Sequence, residues 1–262
     1  MRWIRAIIIV FSTYTRIPLQ RVKWDDDAMK LSLAFLPLAG VIIGTVILGW
    51  QIICRNFDLS AVLFAAVAVA LPILITGGIH MDGFCDTSDA LASNQDKERS
   101  LEILKDPNVG AFALIRSCLY LLVCFALLYE LFLRGYDTGI GFLYILSRCF
   151  AVWNAMTMPG ARKDGMLAAF TEKVDRRLAY GIIAALTAIG SAGWVWFTFP
   201  QGFAGLALIV PVTLWYRSMA RKRFGGVTGD TTGFYLQMVE FSLIAGLLLG
   251  GVVFECLRRG FC

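Results

Sequence analysis

SAVLFAAVAVALPILITGGIHMDGFCDTSDAL, residues 60–91, joins two kinds of sequence. From Ser60 to Thr76 no residue is charged, and the run approaches the roughly 20 apolar residues that a bilayer-spanning helix needs. After Gly77 the texture changes to glycine and acid, with Asp82, Asp86 and Asp89 inside eight residues. Outward from this stretch, apolar blocks recur at 33–53, 60–76, 111–133, 138–158, 178–198, 202–217 and 236–256, the second and sixth being short. Apolar residues make up 58% of the 262 and charged ones 16%, against about 25% charged in a soluble domain. Mean hydropathy is +0.70. The pattern predicts an all-α, polytopic helical membrane protein with about seven transmembrane helices, residues 1–262 forming one integral membrane domain.

Charge distribution predicts the orientation. Lysine and arginine number six in 1–32, three in 77–110, five in 159–177 and four from Arg217 to 235. The alternate connections hold only Arg55, Arg134, Arg258 and Arg259. Positive residues collect on the cytoplasmic side, so the N-terminus is expected there and the C-terminus outside. The net charge of +5 then reflects orientation and contact with lipid headgroups, not a nucleic-acid surface. At the start of the chain, Arg2 and Arg5 precede a short apolar run, Ala6–Phe11, with no small-residue cleavage site after it. Trp3, Ile4, Ile7, Ile8 and Phe11 fall at near-helical spacing, which predicts an interfacial amphipathic helix within a cytoplasmic segment 1–30. The seven cysteines (54, 85, 118, 124, 149, 256 and 262) form no CxxC pair and read as small buried apolar residues, not as disulfides or a zinc site.

The chemistry is expected in cytoplasmic loops at 77–110, 159–177 and 218–235. Asp82, Asp86 and Asp89 are spaced by four and three, which on a helix stacks three carboxylates on one face. Like charges at that distance repel, and a divalent cation would relieve them; all-oxygen ligands suit magnesium or manganese. The plainer alternative is that these acids are solvated or cap a helix. Lys97, Arg99 and Lys105 lie nearby, with Asp106 and Pro107 in a loop ending at Gly110, a composition that suits phosphate. Gly77-Gly78 and Gly225-Gly226 each precede x-x-x-Asp, giving GGIHMD and GGVTGD. A short parallel repeat of this kind would bring Asp82 and Asp230 to one site. His80 is the single histidine, suited either to proton transfer or to a structural role. Arg148 lies inside the fourth block and Arg116 near the start of the third; charged residues in spans are functional or paired, and Glu240 is a candidate partner for Arg148.

Taken together, GGIHMDGFCDTSDAL (77–91), LEILKDPNVGAFA (101–113) and GGVTGDTTG (225–233) resemble the cobalamin synthase (adenosylcobinamide-GDP ribazoletransferase) family. TRIP at 15–18, FLPLAGVIIG at 35–44 and LSR at 146–148 also resemble its segments, in its order. The resemblance implies a late step of cobalamin biosynthesis in the inner (cytoplasmic) membrane of a prokaryote. There, adenosylcobinamide-GDP and α-ribazole, or its 5′-phosphate, give adenosylcobalamin, or its phosphate, plus GMP. It implies Mg2+ as cofactor, on Asp82, Asp86, Asp89 and Asp230. His80 and Asp82 are then the expected catalytic residues. Arg16, Arg99, Lys105, Asp106, Arg148, Thr228 and Asp230 are the expected substrate contacts. A homo-oligomer, or association with other cobalamin-assembly enzymes, is a further expectation. Two rivals are weaker. A CDP-alcohol phosphotransferase would carry DGxxAR, whereas Gly83 is followed by FCDT. A secondary transporter would place its polar residues at mid-membrane on broken helices.

Overall fold

In chain order the helices are α1 (Arg2–Tyr14), α2 (Asp26–Ser32), α3 (Leu36–Asn56), α4 (Ala61–Thr76), α5 (Ile79–Ala92) and α6 (Lys97–Ile103). There follow α7 (Ala111–Arg134), α8 (Leu143–Thr157), α9 (Met166–Lys173), α10 (Arg176–Thr198), α11 (Gly202–Phe224) and α12 (Gly229–Arg259). The computed structural model describes residues 2–19 and 26–259, and no strand occurs among them. Cys262 and residues 20–25 of the expected N-terminal segment lie outside the described residues. Among the described residues, six helices are long and apolar enough to cross a membrane, or seven if the bent pair α4 and α5 counts as one span. The first of them is the continuous stretch Asp27–Asn56, which joins α2 and α3 through a 3-10 turn at Leu33–Phe35.

The bend between α4 and α5 decides where the acids go. Helix α4 stops because Gly77 takes the left-handed conformation at φ 66°, open to a residue without a Cβ. Gly78 follows at φ 81°, and α5 departs at 96° to α4. It therefore does not prolong the span; it crosses α12 and α7 instead. At the other end of the chain, α11 also stops at a left-handed glycine, Gly225, and α12 starts four residues later. Helix α12 has 31 residues, about 46 Å at 1.5 Å per residue, against a hydrocarbon core of about 30 Å. Its first turns, with Asp230, stand outside the spanning part expected at 236–256.

Two apolar cores hold these pieces. The larger joins α3, α4, α7, α8, α11 and α12; the smaller joins α1, α2, α8, α9 and α10 around Ile9, Met29, Phe170 and Ile183. On the side away from α5, Arg55 donates to the buried Asp137 carboxylate at 2.7 Å and lies over the Phe132 ring at 3.7 Å.

Several expectations are corrected here. The stretches expected as loops contain helices: 77–110 holds α5 and α6, 159–177 holds α9 and the start of α10, and 218–235 holds the end of α11 and the start of α12. The N-terminal helix exists, but it buries Ala6, Ile9 and Val10, whereas Trp3 and Ile4 are exposed. A helix lying on a bundle hides the stripe that meets its neighbours and leaves the rest of its apolar surface for lipid. Cys118 is exposed and Cys256 is disulfide-bonded, so neither is a buried apolar thiol.

Candidate active site

Helix α5 sits on α12 with no side chain between them at the crossing. A Cβ on Gly83 would stand 2.7 Å from the carbonyl oxygen of Asp230, closer than real contacts allow. The glycine that weakens the helix is thus the residue that admits α12. Phe84 stacks on Phe234 beside it, ring centroids 5.2 Å apart. The contact sets Asp82 and Asp86, one turn apart, beside Asp230 in the first turn of α12. Thr228 fixes that turn: its Oγ1 accepts from the Thr231 amide at 3.1 Å, and Thr231 Oγ1 accepts from the Thr228 amide at 2.9 Å.

None of Asp82, Asp86 and Asp230 forms an ion pair among the described residues. The Asp86 carboxyl is pushed up to about 7, first by partial burial and then by the charges of Asp82, Asp230 and Asp89. Burial also raises Asp230, opposed by the Arg162 guanidinium. Asp89 is used differently. Its two oxygens accept the amides of Gly110 at 2.5 Å and Ala113 at 2.8 Å, so it caps the start of α7. Of the two readings open for the motif, metal holding and helix capping, Asp89 takes the second. Among the described residues no three His, Cys, Asp or Glu side chains are placed to hold a metal ion by themselves. Asp82 and Asp230, acids without an ion-pair partner among the described residues, fit magnesium, which takes one or two carboxylates and completes its shell with water and substrate phosphate.

Asp82 and Asp230 line a chamber of about 850 Å³. Its other walls come from Tyr14, from α8, from α9 and from a strap at 158–165 that links α8 to α9. The strap is pinned to the turn before α12. The Val227 amide donates to Pro159 O and the Ala161 amide to Val227 O, both at 2.9 Å, forming one parallel bridge at Gly160 and Val227. It brings Arg162 and Lys163 to the chamber. Arg162 also donates to the Leu101 carbonyl, which anchors it. His80 lies in the wall, 6% exposed, its ring stacked on Tyr14 at 6.0 Å and 14°. Burial and then the Arg148 charge lower its pKa to about 3, so the imidazole is neutral at physiological pH. Its Nε2 is buried without a hydrogen-bond partner among the described residues.

The remaining expected contacts are distributed elsewhere. Arg99 pairs with Glu102 at 2.7 Å and Lys105 with Asp164 at 3.2 Å, all four exposed and neither cation lining the chamber. Asp106 closes its own turn by accepting from the amide and side chain of Asn108. The Arg16 side chain packs on Gly77 at the α4–α5 bend. Arg148 is inside the bundle, its Nη1 donating to Glu240 at 2.7 Å, as its partnership with that residue anticipates. Arg116 donates to Ser88 O at 2.8 Å. Thr228 does line the chamber. The residues not singled out beforehand are Arg162, Lys163, Arg176 and Tyr14; the available signal was PGARKDG at 159–165, basic residues between turn-forming ones.

The chain matches the family described as cobalamin-5-phosphate synthase over residues 6–248. A protein of Lachnoclostridium phytofermentans named adenosylcobinamide-GDP ribazoletransferase is 35% identical over 247 residues, 94% of each chain. Proteins of the same name from Clostridium perfringens and Pseudomonas entomophila are each 33% identical. The alignments cover 95% of this chain and 98% of the first, and 85% of this chain and 89% of the second. No solved structure matches the chain.

Proposed function

The chain belongs to the cobalamin-5-phosphate synthase family, and from that premise we propose that its chamber is where the family's late transfer of cobalamin biosynthesis takes place. The reaction joins adenosylcobinamide-GDP to α-ribazole or its 5′-phosphate. A ribose hydroxyl attacks the corrinoid-side phosphorus, the bond to the bridging oxygen breaks, and GMP leaves. The observation that carries the reading is the set of three acids, Asp82, Asp86 and Asp230, brought together with no cation of their own and faced by Arg162 and Lys163.

Each residue has a chemical task in this reading. Asp82 and Asp230 would hold Mg2+, with Asp86 adding its charge from beside them; the metal would supply neutralisation of the diphosphate and of the departing phosphate oxygen. Arg162 and Lys163 bind phosphate oxygens from the opposite wall, where a fixed positive charge acts in a partly dry site. His80 Nε2, neutral and unpartnered, accepts a hydrogen bond from the attacking hydroxyl and orients it, and a nearby aspartate takes the proton. Tyr14 keeps the imidazole plane in place. Asp89 acts through α7, by holding the end of α5.

The protein is multi-pass, and we assign it to the cytoplasmic membrane with the chamber facing the cytoplasm. The concentration of lysine and arginine on the connections around the chamber supports this. The test is GMP release by the purified enzyme in lipid, with and without α-ribazole and with and without magnesium. Release that is independent of α-ribazole, or undiminished after chelation, would overturn the transfer or the metal respectively.

A further inference from the structure

The chamber is stratified. Its charged lining groups belong to the first turn of α5, the strap, the α9–α10 corner and the first turn of α12. Below them the wall is apolar. Ala155 and Ala151 precede the strap residue Pro159 by four and eight positions, about 6 and 12 Å farther along the α8 axis. Leu236 follows Asp230 by six positions, about 9 Å along α12 in the same direction. Leu33, Leu36 and Val152 complete this floor, and all six of these residues are at most 4% exposed. The charged pair at this depth, Arg148 and Glu240, is spent on itself and does not line the chamber.

We propose that this apolar floor is the binding site for the aromatic base of α-ribazole, so that the nucleoside enters first and the diphosphate of the corrinoid substrate closes over it. The inference rests on the reading above. A diphosphate, a guanine or the amide-fringed corrin ring would lose hydrogen bonds to water on such a floor and find none in return. A benzimidazole is flat, uncharged and nearly all apolar, and its burial there is favourable in proportion to its area. Size agrees: about 850 Å³ encloses a drug-sized ligand, whereas the corrinoid nucleotide is far larger and must lie mostly beyond the rim. With the base on the floor, the ribose stands at the level of His80 and Asp82, and the attacking hydroxyl meets the buried Nε2 that otherwise has no partner.

Ala155→Leu fills the floor without touching the rim. Steady-state kinetics in lipid should show KM for α-ribazole raised about 10–100-fold, the scale of a methylene-sized misfit in an apolar pocket, with KM for adenosylcobinamide-GDP unchanged. The α-riboside of unsubstituted benzimidazole, lacking the two ring methyls, should recover most of the loss. A measurement on the unaltered enzyme needs no variant: the α-riboside of adenine should show a higher KM than α-ribazole. An unchanged KM for α-ribazole in Ala155→Leu, a rise confined to adenosylcobinamide-GDP, or an adenine riboside that binds as well as α-ribazole would each overturn the floor assignment. An unaltered enzyme that releases no GMP in the presence of α-ribazole would instead overturn the reading of the reaction.

Discussion

Helix α12 carries two acids ten positions apart, the half-buried Asp230 and the buried Glu240, in opposite circumstances. Glu240 is met by Arg148 at 2.7 Å and by Ser147 Oγ at 3.1 Å, so its charge is answered inside the bundle. Asp230 is met by two further acids from α5, and the nearest cation acts on it only through the field of the anchored Arg162. A chain under selection for stability alone would not assemble the second arrangement, because each added negative charge opposes the last. The difference separates a charge that holds helices together from charges kept available for something that binds.

The sharpest way to break this distinction is to remove one acid from each centre. Asp82→Ala should lower GMP release by at least about 100-fold, the scale of losing one electrostatic contact to a transition state. Its thermal midpoint, read by a thiol-independent dye or by scattering, should stay level or rise. A fall in midpoint together with retained activity would make Asp82 structural. Glu240→Ala should do the reverse. Leaving Arg148 buried and unpaired costs about 3–5 kcal/mol, seen as a lower midpoint in detergent or lipid, whereas Glu240→Gln should recover part of it.

Acid and metal should sharpen the contrast further. Since Asp86 is raised from 3.8 to about 7, the folded protein binds its proton more tightly than the unfolded chain does. Without metal the stabilising effect is complete below about pH 4 and is lost as pH climbs through 7. Discounted for solvent screening to about 1 kcal/mol, the loss lowers the midpoint by about 2–4 °C between pH 5 and pH 8. Magnesium should reverse the fall, and Asp86→Asn should shrink it, leaving the smaller part that belongs to Asp230. The smallest effect belongs to an exposed pair that is neither kind of centre. Lys105→Ala should change stability by less than about 1 kcal/mol and leave KM for adenosylcobinamide-GDP within about threefold. A larger rise would return Lys105 to the phosphate site.

The spans and the acid motif were legible in the sequence because they rest on composition and on a local period. Apolar blocks announce themselves, and Asp82, Asp86 and Asp230 stand in segments whose glycines mark the helix ends. What was hidden depends on direction and distance in space. Arg99 and Lys105 lie near the acids along the chain, yet they point to Glu102 and Asp164. Arg162 and Lys163, some eighty positions after Asp82, reach the chamber because one bridge at Gly160 folds the strap against Val227. Gly83 is a poor helix former by propensity, yet the crossing with α12 requires it, and that requirement is a matter of space and not of the local sequence. Asp89 looked like its two neighbours, and only the start of α7 reveals its partners.

That last aspartate turns the motif into a ruler. Along one face of α5, the first acid lines the chamber, the second follows one turn on, and the third reaches the first turn of a spanning helix. One residue more or fewer between Asp86 and Asp89 would rotate one end against the other by about 100°. The reacting site and the bilayer-crossing frame would then fall out of register. The four-and-three spacing is therefore a joint between the acids at the chamber and a membrane scaffold, and it ties the proposed site to a helix long and apolar enough to cross the bilayer.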